Sequence, residues 1–162
     1  MHATHRYDFK DKAADYASLA GELTGLLAGE TDMVANAANT SALLFDALPD
    51  INWAGFYFVR GNELVVGPFQ GKPACVRIGM GKGVCGSAAQ QRRSIVVPDV
   101  GSFPGHIACD AASRSEIVIP LLANDLVLGV LDIDSPTPAR FDEIDRVGLE
   151  RVAGIFLEAS RP

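Results

Sequence analysis

Long apolar runs are missing from this 162-residue sequence. A helix needs about 20 consecutive apolar residues to span a bilayer, and no stretch approaches that length. The opening residues, Met-His-Ala-Thr-His-Arg-Tyr-Asp, carry no apolar segment of the signal-peptide kind. A cytosolic (cytoplasmic) location is the expectation. Cysteine is scarce and odd in number, with three in the chain. Secreted disulfide scaffolds usually carry an even and denser set, so these thiols matter through burial, metal binding or catalysis. Clusters of one charge are missing too. The net charge is −6, with acidic and basic residues interspersed. Binding to nucleic acid needs a clustered basic stripe, and an anionic membrane patch needs a similar cluster. Neither partner is expected. A small anionic ligand stays open, because local fields outweigh net charge. Internal repeats, low-complexity segments and linkers are also lacking.

What is present suits one globular domain spanning residues 1–162. Hydrophobic residues make up 48% and charged residues 21%, enough apolar material for a core. From about Phe9 to Ala28, apolar residues recur at helical spacing, and Gly29 is a stop. A second helix follows the cap-like Thr31-Asp32 and ends at Leu48 before Pro49. Trp53–Val59 and Leu64–Phe69 flank Gly61-Asn62 and read as a hairpin. Ala74–Ile78 reads as a third strand, Val84–Gln91 as a short helix and Ser94–Val97 as a short strand. Pro98 to Arg114 is a long irregular segment, a kind that is often functional in compact domains. Glu116–Leu122 and Leu126–Asp132 form a second hairpin around Asn124-Asp125. Phe141–Ala159 is a closing helix. Regular crossover helices are missing, so the sheet should be mostly antiparallel. The fold class is α+β, with the central sheet flanked by N-terminal and C-terminal helices.

Several strings occur in order along nearly the whole chain. They are Asn52-Trp53-Ala54-Gly55-Phe56-Tyr57, Gly67-Pro68-Phe69-Gln70-Gly71-Lys72-Pro73-Ala74-Cys75 and Gly83-Val84-Cys85-Gly86. After them come Phe103-Pro104-Gly105-His106-Ile107-Ala108-Cys109-Asp110, Ser115-Glu116-Ile117-Val118 and Leu131-Asp132-Ile133-Asp134-Ser135. The ordered set resembles the free methionine-(R)-sulfoxide reductase family, enzymes built on a single GAF domain. That resemblance implies a GAF-like fold and reduction of free L-methionine-(R)-sulfoxide to methionine. It implies no bound cofactor and an external dithiol, thioredoxin, as reductant.

Sulfoxide reduction needs a soft nucleophile for sulfur and an acid for oxygen. A thiolate suits the first role. Attack leaves methionine and a sulfenic acid, which a second cysteine converts to a disulfide. External thiols then reset the enzyme by exchange. Cys109 is the candidate nucleophile, and by resemblance it is the family's catalytic cysteine. A helical turn beginning at Asp110-Ala111-Ala112-Ser113 would favour its thiolate, whereas the charge of Asp110 would oppose it. Cys75 and Cys85 are the candidates for resolution, and spacing does not rank them. By resemblance, Cys75 is the principal resolving residue and Cys85 a secondary one.

Asp132 and Asp134 are two apart on a strand and so share a face. Glu116 begins the partner strand. Three carboxylates brought together repel, so at least one tends to hold a proton. A neutral carboxyl can donate to the sulfoxide oxygen, and an ionised neighbour can bind the ammonium of a free amino acid. By resemblance, all three belong to the active site. Trp53 and Tyr57 share a strand face, and by resemblance they line the substrate cavity. Backbone amides near Gly83–Ser87 or Ile107–Cys109, or an arginine, would take the substrate carboxylate.

Other readings compete. Three cysteines and His106 suggest zinc, but no pair has the short Cys-x-x-Cys spacing of structural sites, so no metal is expected. His106 reads as a loop-packing or hydrogen-bonding residue. A non-enzymatic GAF sensor for a small ligand or redox state is the alternative function. GAF domains often pair through edge helices, so the resemblance also implies a possible homodimer.

Overall fold

A computed structural model of the chain describes residues 7–107 and 109–161. Two helices come first, α1 (Lys12–Leu26) and α2 (Met33–Ala47). Each starts where an aspartate can cap it. Asp11 accepts from the Ala14 amide and Asp32 from the Ala35 amide, satisfying donors that a helix start leaves open. The strands β1 (Trp53–Arg60), β2 (Glu63–Gly71) and β3 (Arg77–Gly79) follow. A short helix, α3 (Gly83–Gln91), precedes β4 (Ile95–Val97). The last elements are β5 (Ser115–Ala123), β6 (Leu126–Ser135) and α4 (Glu143–Ala159).

The six strands form one sheet in the order β3-β2-β1-β6-β5-β4, and every neighbouring pair is antiparallel. This matches the α+β arrangement expected from the missing crossovers. Alternation along the central strands assigns two faces. Phe56, Phe58, Ile117, Ile119, Leu131 and Ile133 point to one core, packed with residues of α1, α2 and α4. Trp53, Tyr57, Val118 and Val130 point to the other, packed with Val84, Cys85 and Ala88 of α3. The second face also carries the candidate polar residues.

A buried aspartate fastens the helical layer. Asp145 is completely buried at the start of α4. It accepts from Tyr16 Oη at 2.9 Å and Arg140 at 3.2 Å, and it pairs with Lys12 Nζ at 2.6 Å. Its polar atoms thus find partners from α1 and from the segment before α4, as a buried charge requires.

Three details differ from the sequence expectation. The third strand is Arg77–Gly79, so Ala74 and Cys75 lie in the connection before it. The Cys75 carbonyl accepts from Tyr57 Oη and its thiol is bonded to Cys109, so this segment is tied to the cavity wall and not to the ladder. The closing helix begins at Glu143, not Phe141, because Asp142 accepts from the Ile144 and Asp145 amides. The stretch Asp110–Ser113 forms one isolated turn, closed by the Ser113 amide donating to the Asp110 carbonyl at 3.2 Å, and no helix follows it. Asp110 Oδ1 accepts from the Ala112 amide at 2.9 Å, an aspartate turn that competes with a helix start. The helix dipole expected beside Cys109 is therefore absent. Among the described residues, no helix is long and apolar enough to cross a membrane.

Candidate active site

The second face of the sheet holds a cavity beneath the long segment between β4 and β5. Its lining includes Trp53, Tyr57, Cys85, Cys109, Glu116, Asp132 and Asp134. Strand register explains why the acids meet. Glu116 on β5 pairs with Asp134 on β6, and Asp134 pairs on its other side with Trp53 on β1. Asp132 lies two residues along the same face. Glu116 and Asp132 are each only 6% exposed, although carboxylates are rarely buried without a partner.

Burial dominates the acid–base behaviour of this group. Desolvation, then the charges of Asp132 and Asp134, push Glu116 well above the usual carboxylate range. Desolvation and then the Asp132 charge do the same to Asp134. Asp132 rises to about 6, mainly through burial, and hydrogen bonds from Cys85 and Glu116 restrain that rise. Asp132 is thus the group that ionises first. Its charge then helps hold protons on the other two. One oxygen of Asp132, Oδ1, is buried without a hydrogen-bond partner.

The thiols occupy three distinct places. Cys109 is joined to Cys75 in a disulfide, with the two Cα atoms 5.8 Å apart. Cys85 is the free cysteine, 4% exposed on the first turn of α3. Its Sγ donates to Glu116 Oε1 at 3.9 Å. Burial and then the charges of Asp132 and Glu116 push the Cys85 thiol well up. This cysteine is therefore a poor nucleophile by itself.

The aromatic pair does more than line a wall. Trp53 and Tyr57 stack with centroids 5.9 Å apart, and Phe69 stacks on Trp53 at 5.1 Å. Trp53 Nε1 donates to the Lys72 carbonyl and Tyr57 Oη to the Cys75 carbonyl, both at 3.1 Å. The two rings thus hold the turn that carries Cys75. On the other side of the disulfide, Asn52 Nδ2 donates to Asp110 Oδ2 at 3.3 Å and to Ser113 Oγ at 3.1 Å. Lys72 Nζ lies 3.6 Å from Asp110 Oδ2. Sequence spacing does not reveal these anchors. The polar atoms of Trp and Tyr, which usually seek partners when buried, were the available signal.

The N-terminus of α3 opens into the cavity through Gly83, Val84 and Cys85. Lys82 at its N-cap makes no side-chain cap hydrogen bond. Gly83 has φ +58, which favours glycine. A side chain at Gly86 would run into the carbonyl of Gly79, so α3 packs directly on the turn after β3. Among the described residues no arginine lines the cavity; its lysines are Lys72 and Lys82. His106 lines it as well, with Nε2 3.7 Å from Glu116 Oε2. Burial lowers the His106 pKa and so favours the neutral ring. Ala108, within one of the two candidate amide segments, lies outside the described residues.

Cys85, Glu116 and Asp132 each offer a ligand atom, all within 4.8 Å of one another. The set weighed from the sequence, three cysteines with His106, shares only Cys85 with this grouping. Cys109 is bonded to Cys75, and the close thiol is Cys85.

Known proteins share both the sequence and the fold. Residues 35–158 match the GAF domain family. The chain is 53% identical over 142 residues to the free methionine-R-sulfoxide reductase of Escherichia coli, covering 88% of this chain and 86% of that protein. The chain belongs to the free methionine-(R)-sulfoxide reductase family. A reductase of the same name from Saccharomyces cerevisiae is 48% identical over 140 residues, covering 82% of this chain and 78% of that one. An X-ray structure of the free methionine-R-sulfoxide reductase from Neisseria meningitidis, in complex with its substrate, superposes with a TM-score of 0.93. It is 47% identical and covers 99% of this chain and 98% of its own. Both the GAF fold and the enzyme family expected from the ordered strings are thereby established.

Proposed function

We propose that this enzyme reduces free L-methionine-(R)-sulfoxide to methionine through Cys109, with Cys75 as the resolving thiol. One observation carries the reading. Cys109, bonded to Cys75, lines the same cavity as the three carboxyl groups that can supply charge and protons.

With the disulfide reduced, the Cys109 thiolate attacks the sulfoxide sulfur. The sulfur–oxygen bond breaks, and the oxygen passes to Cys109 as a sulfenic acid. A carboxyl of Glu116 or Asp134, kept protonated by burial and by the Asp132 charge, donates to that oxygen as it leaves sulfur. The Cys75 thiol then attacks the sulfenic sulfur and expels water. This yields the disulfide seen between Cys75 and Cys109. A dithiol such as thioredoxin restores both thiols by exchange and is itself oxidised. Cys85 is a secondary resolving thiol, limited by its burial and its raised pKa.

Substrate selection follows from charge. The ionised Asp132, with its unpartnered Oδ1, takes the ammonium of the free amino acid. A methionine inside a polypeptide lacks that ammonium. The amides at the start of α3 take the carboxylate, aided by the helix dipole. Trp53 and Tyr57 hold the methyl-sulfoxide end, where aromatic edges suit sulfur.

The test is turnover of separated (R) and (S) sulfoxides of free methionine, with thioredoxin and its reductase as the electron supply. Consumption of the (R) form by wild type, and its loss in Cys109→Ser, is expected. Equal rates for wild type and Cys109→Ser would remove Cys109 from the mechanism. Turnover of (S) alone would overturn the substrate assignment.

A further inference from the structure

Cys85, Glu116 and Asp132 come from α3, β5 and β6, and each is at least 94% buried. Their ligand atoms lie within 4.8 Å of one another, with Cys85 Sγ and Glu116 Oε1 3.9 Å apart. Tetrahedral zinc, with arms of about 2.3 Å to sulfur and 2.0 Å to oxygen, needs donor separations of roughly 3.5 Å. Small adjustments therefore suffice to close the site. An independent feature points to a missing cationic partner. Asp132 Oδ1 is buried with no hydrogen-bond partner, which is costly unless something else occupies that direction. His106 Nε2 lies 3.7 Å from the other oxygen of Glu116, outside this three-donor group. No arginine or lysine forms an ion pair with Glu116 or Asp132 among the described residues.

We propose that a thiophilic divalent cation, Zn2+, binds Cys85, Glu116 and Asp132 in the substrate cavity and inhibits the enzyme by competing with the amino acid. The donor set selects the metal. A thiolate beside two carboxylates suits zinc, whereas calcium and magnesium take all-oxygen cages. Binding displaces the protons of Cys85 and Glu116, which leave to solvent, and no electron is transferred. The site does not require Cys75 or Cys109, so it persists when those two are joined. The competition rests on the proposed function, because the same Asp132 oxygen would receive the substrate ammonium.

The experiment uses oxidised protein, in which the disulfide keeps Cys75 and Cys109 from ligating metal. Zn2+ is titrated against a chromophoric chelator, and Co2+ is followed by absorption. One equivalent per chain is expected, with a thiolate-to-cobalt charge-transfer band. Cys85→Ser should abolish the band. Loss of a hydrogen-bond partner that only supports a ligand costs about 10- to 100-fold in affinity, so removing a direct ligand in Cys85→Ser or Asp132→Asn should weaken zinc by about 100-fold or more. Free methionine sulfoxide should lower the apparent zinc affinity in proportion to its concentration. No cobalt band in the wild type would overturn the site, and that result does not depend on any variant folding. Unchanged zinc affinity in a folded Asp132→Asn would do the same. Simultaneous binding of zinc and sulfoxide would overturn the competition. Turnover of metal-free reduced enzyme is measured separately. Turnover without zinc binding refutes the metal site and leaves the reductase intact; zinc binding without turnover supports the site and rejects the reductase reading.

Discussion

Replacing Asp132 by Asn separates what this group does for the reaction from what it does to the fold. Its carboxyl moves from an ordinary 3.8 to about 6, chiefly because it is buried. Holding it ionised in the folded chain therefore costs about 3 kcal/mol, at roughly 1.4 kcal/mol per pH unit. The sign follows from proton binding. Below pH 3.8 the group is protonated whether the chain is folded or unfolded, and the penalty vanishes. Between 3.8 and about 6 the folded chain retains a proton that the unfolded chain has released, so stability falls as pH rises. Above that window the penalty is complete. Asn has nearly the shape of a protonated Asp and no charge. It also removes the charge that raises Glu116 and Asp134. Urea unfolding at pH 8 should show Asp132→Asn more stable by about 3 kcal/mol, or about 6–12 °C in Tm for a chain of this size. The advantage should shrink towards zero as the pH falls below about 4. At pH 8, kcat/KM should drop by roughly 10- to 100-fold, the loss of a charge-assisted hydrogen bond to the substrate ammonium. Equal stability at pH 8, or a gain independent of pH, would refute the desolvation argument. Full activity would refute the ammonium contact.

Asp145→Asn should lower stability by about 3–5 kcal/mol, because it leaves Lys12 and Arg140 facing a neutral group in a buried ion-pair network. A thermal melt unchanged from wild type would contradict that. After one turnover without reductant, peptide mapping should recover the Cys75–Cys109 disulfide. Cys85, only 4% exposed, should react with an alkylating reagent only after unfolding. Rapid labelling of Cys85 in the native chain would count against its burial. Trp53→Ala removes a ring stacked between Tyr57 and Phe69 and should cost about 3–5 kcal/mol. It should also raise KM for the sulfoxide, and a KM equal to wild type would exclude Trp53 from the substrate wall.

Local periodicity made much of the fold and part of the site legible. Period two put Asp132 and Asp134 on one face, and the second hairpin brought Glu116 opposite Asp134. Those relations depend on neighbours within one supersecondary unit. The contact of Cys85 with Glu116 joins residues 31 apart and depends on how α3 packs across the sheet. No spacing rule contains it. The Cys-x-x-Cys criterion for zinc likewise sees only ligands close in sequence, and it passes over Cys85, Glu116 and Asp132. At Asp110 a local rule misled, because the side chain served a turn instead of a helix start. The polar ends of Trp53 and Tyr57 reach backbone carbonyls 19 and 18 residues away, and strand periodicity, which assigns only a face, contains neither contact.

The arrangement divides the proposed chemistry between two kinds of backbone. Glu116, Asp132 and Asp134 sit in the central strands β5 and β6, where ladder hydrogen bonds fix their separations. Their proton affinities depend on those separations, so a rigid frame serves them. Cys109 and Cys75 lie outside any helix or strand. Cys109 must reach the sulfoxide in one step and Cys75 in the next, and no single ladder position serves both. Its segment is instead tied by side chains, through Asn52 to Asp110 and Ser113, while Tyr57 and Trp53 hold the opposite turn. Such ties cost little to break individually, at about 1 kcal/mol each. The same reasoning explains why Cys85 is ill suited to be the main resolving thiol. It is fixed on a helix turn packed tightly against the strands, and its proton is held by burial and then by the charges of Asp132 and Glu116. The position that hampers resolution brings a soft ligand beside two carboxylates. The acid cluster and the proposed cation site are thus consequences of one packing decision, the docking of α3 on the face that carries Glu116 and Asp132.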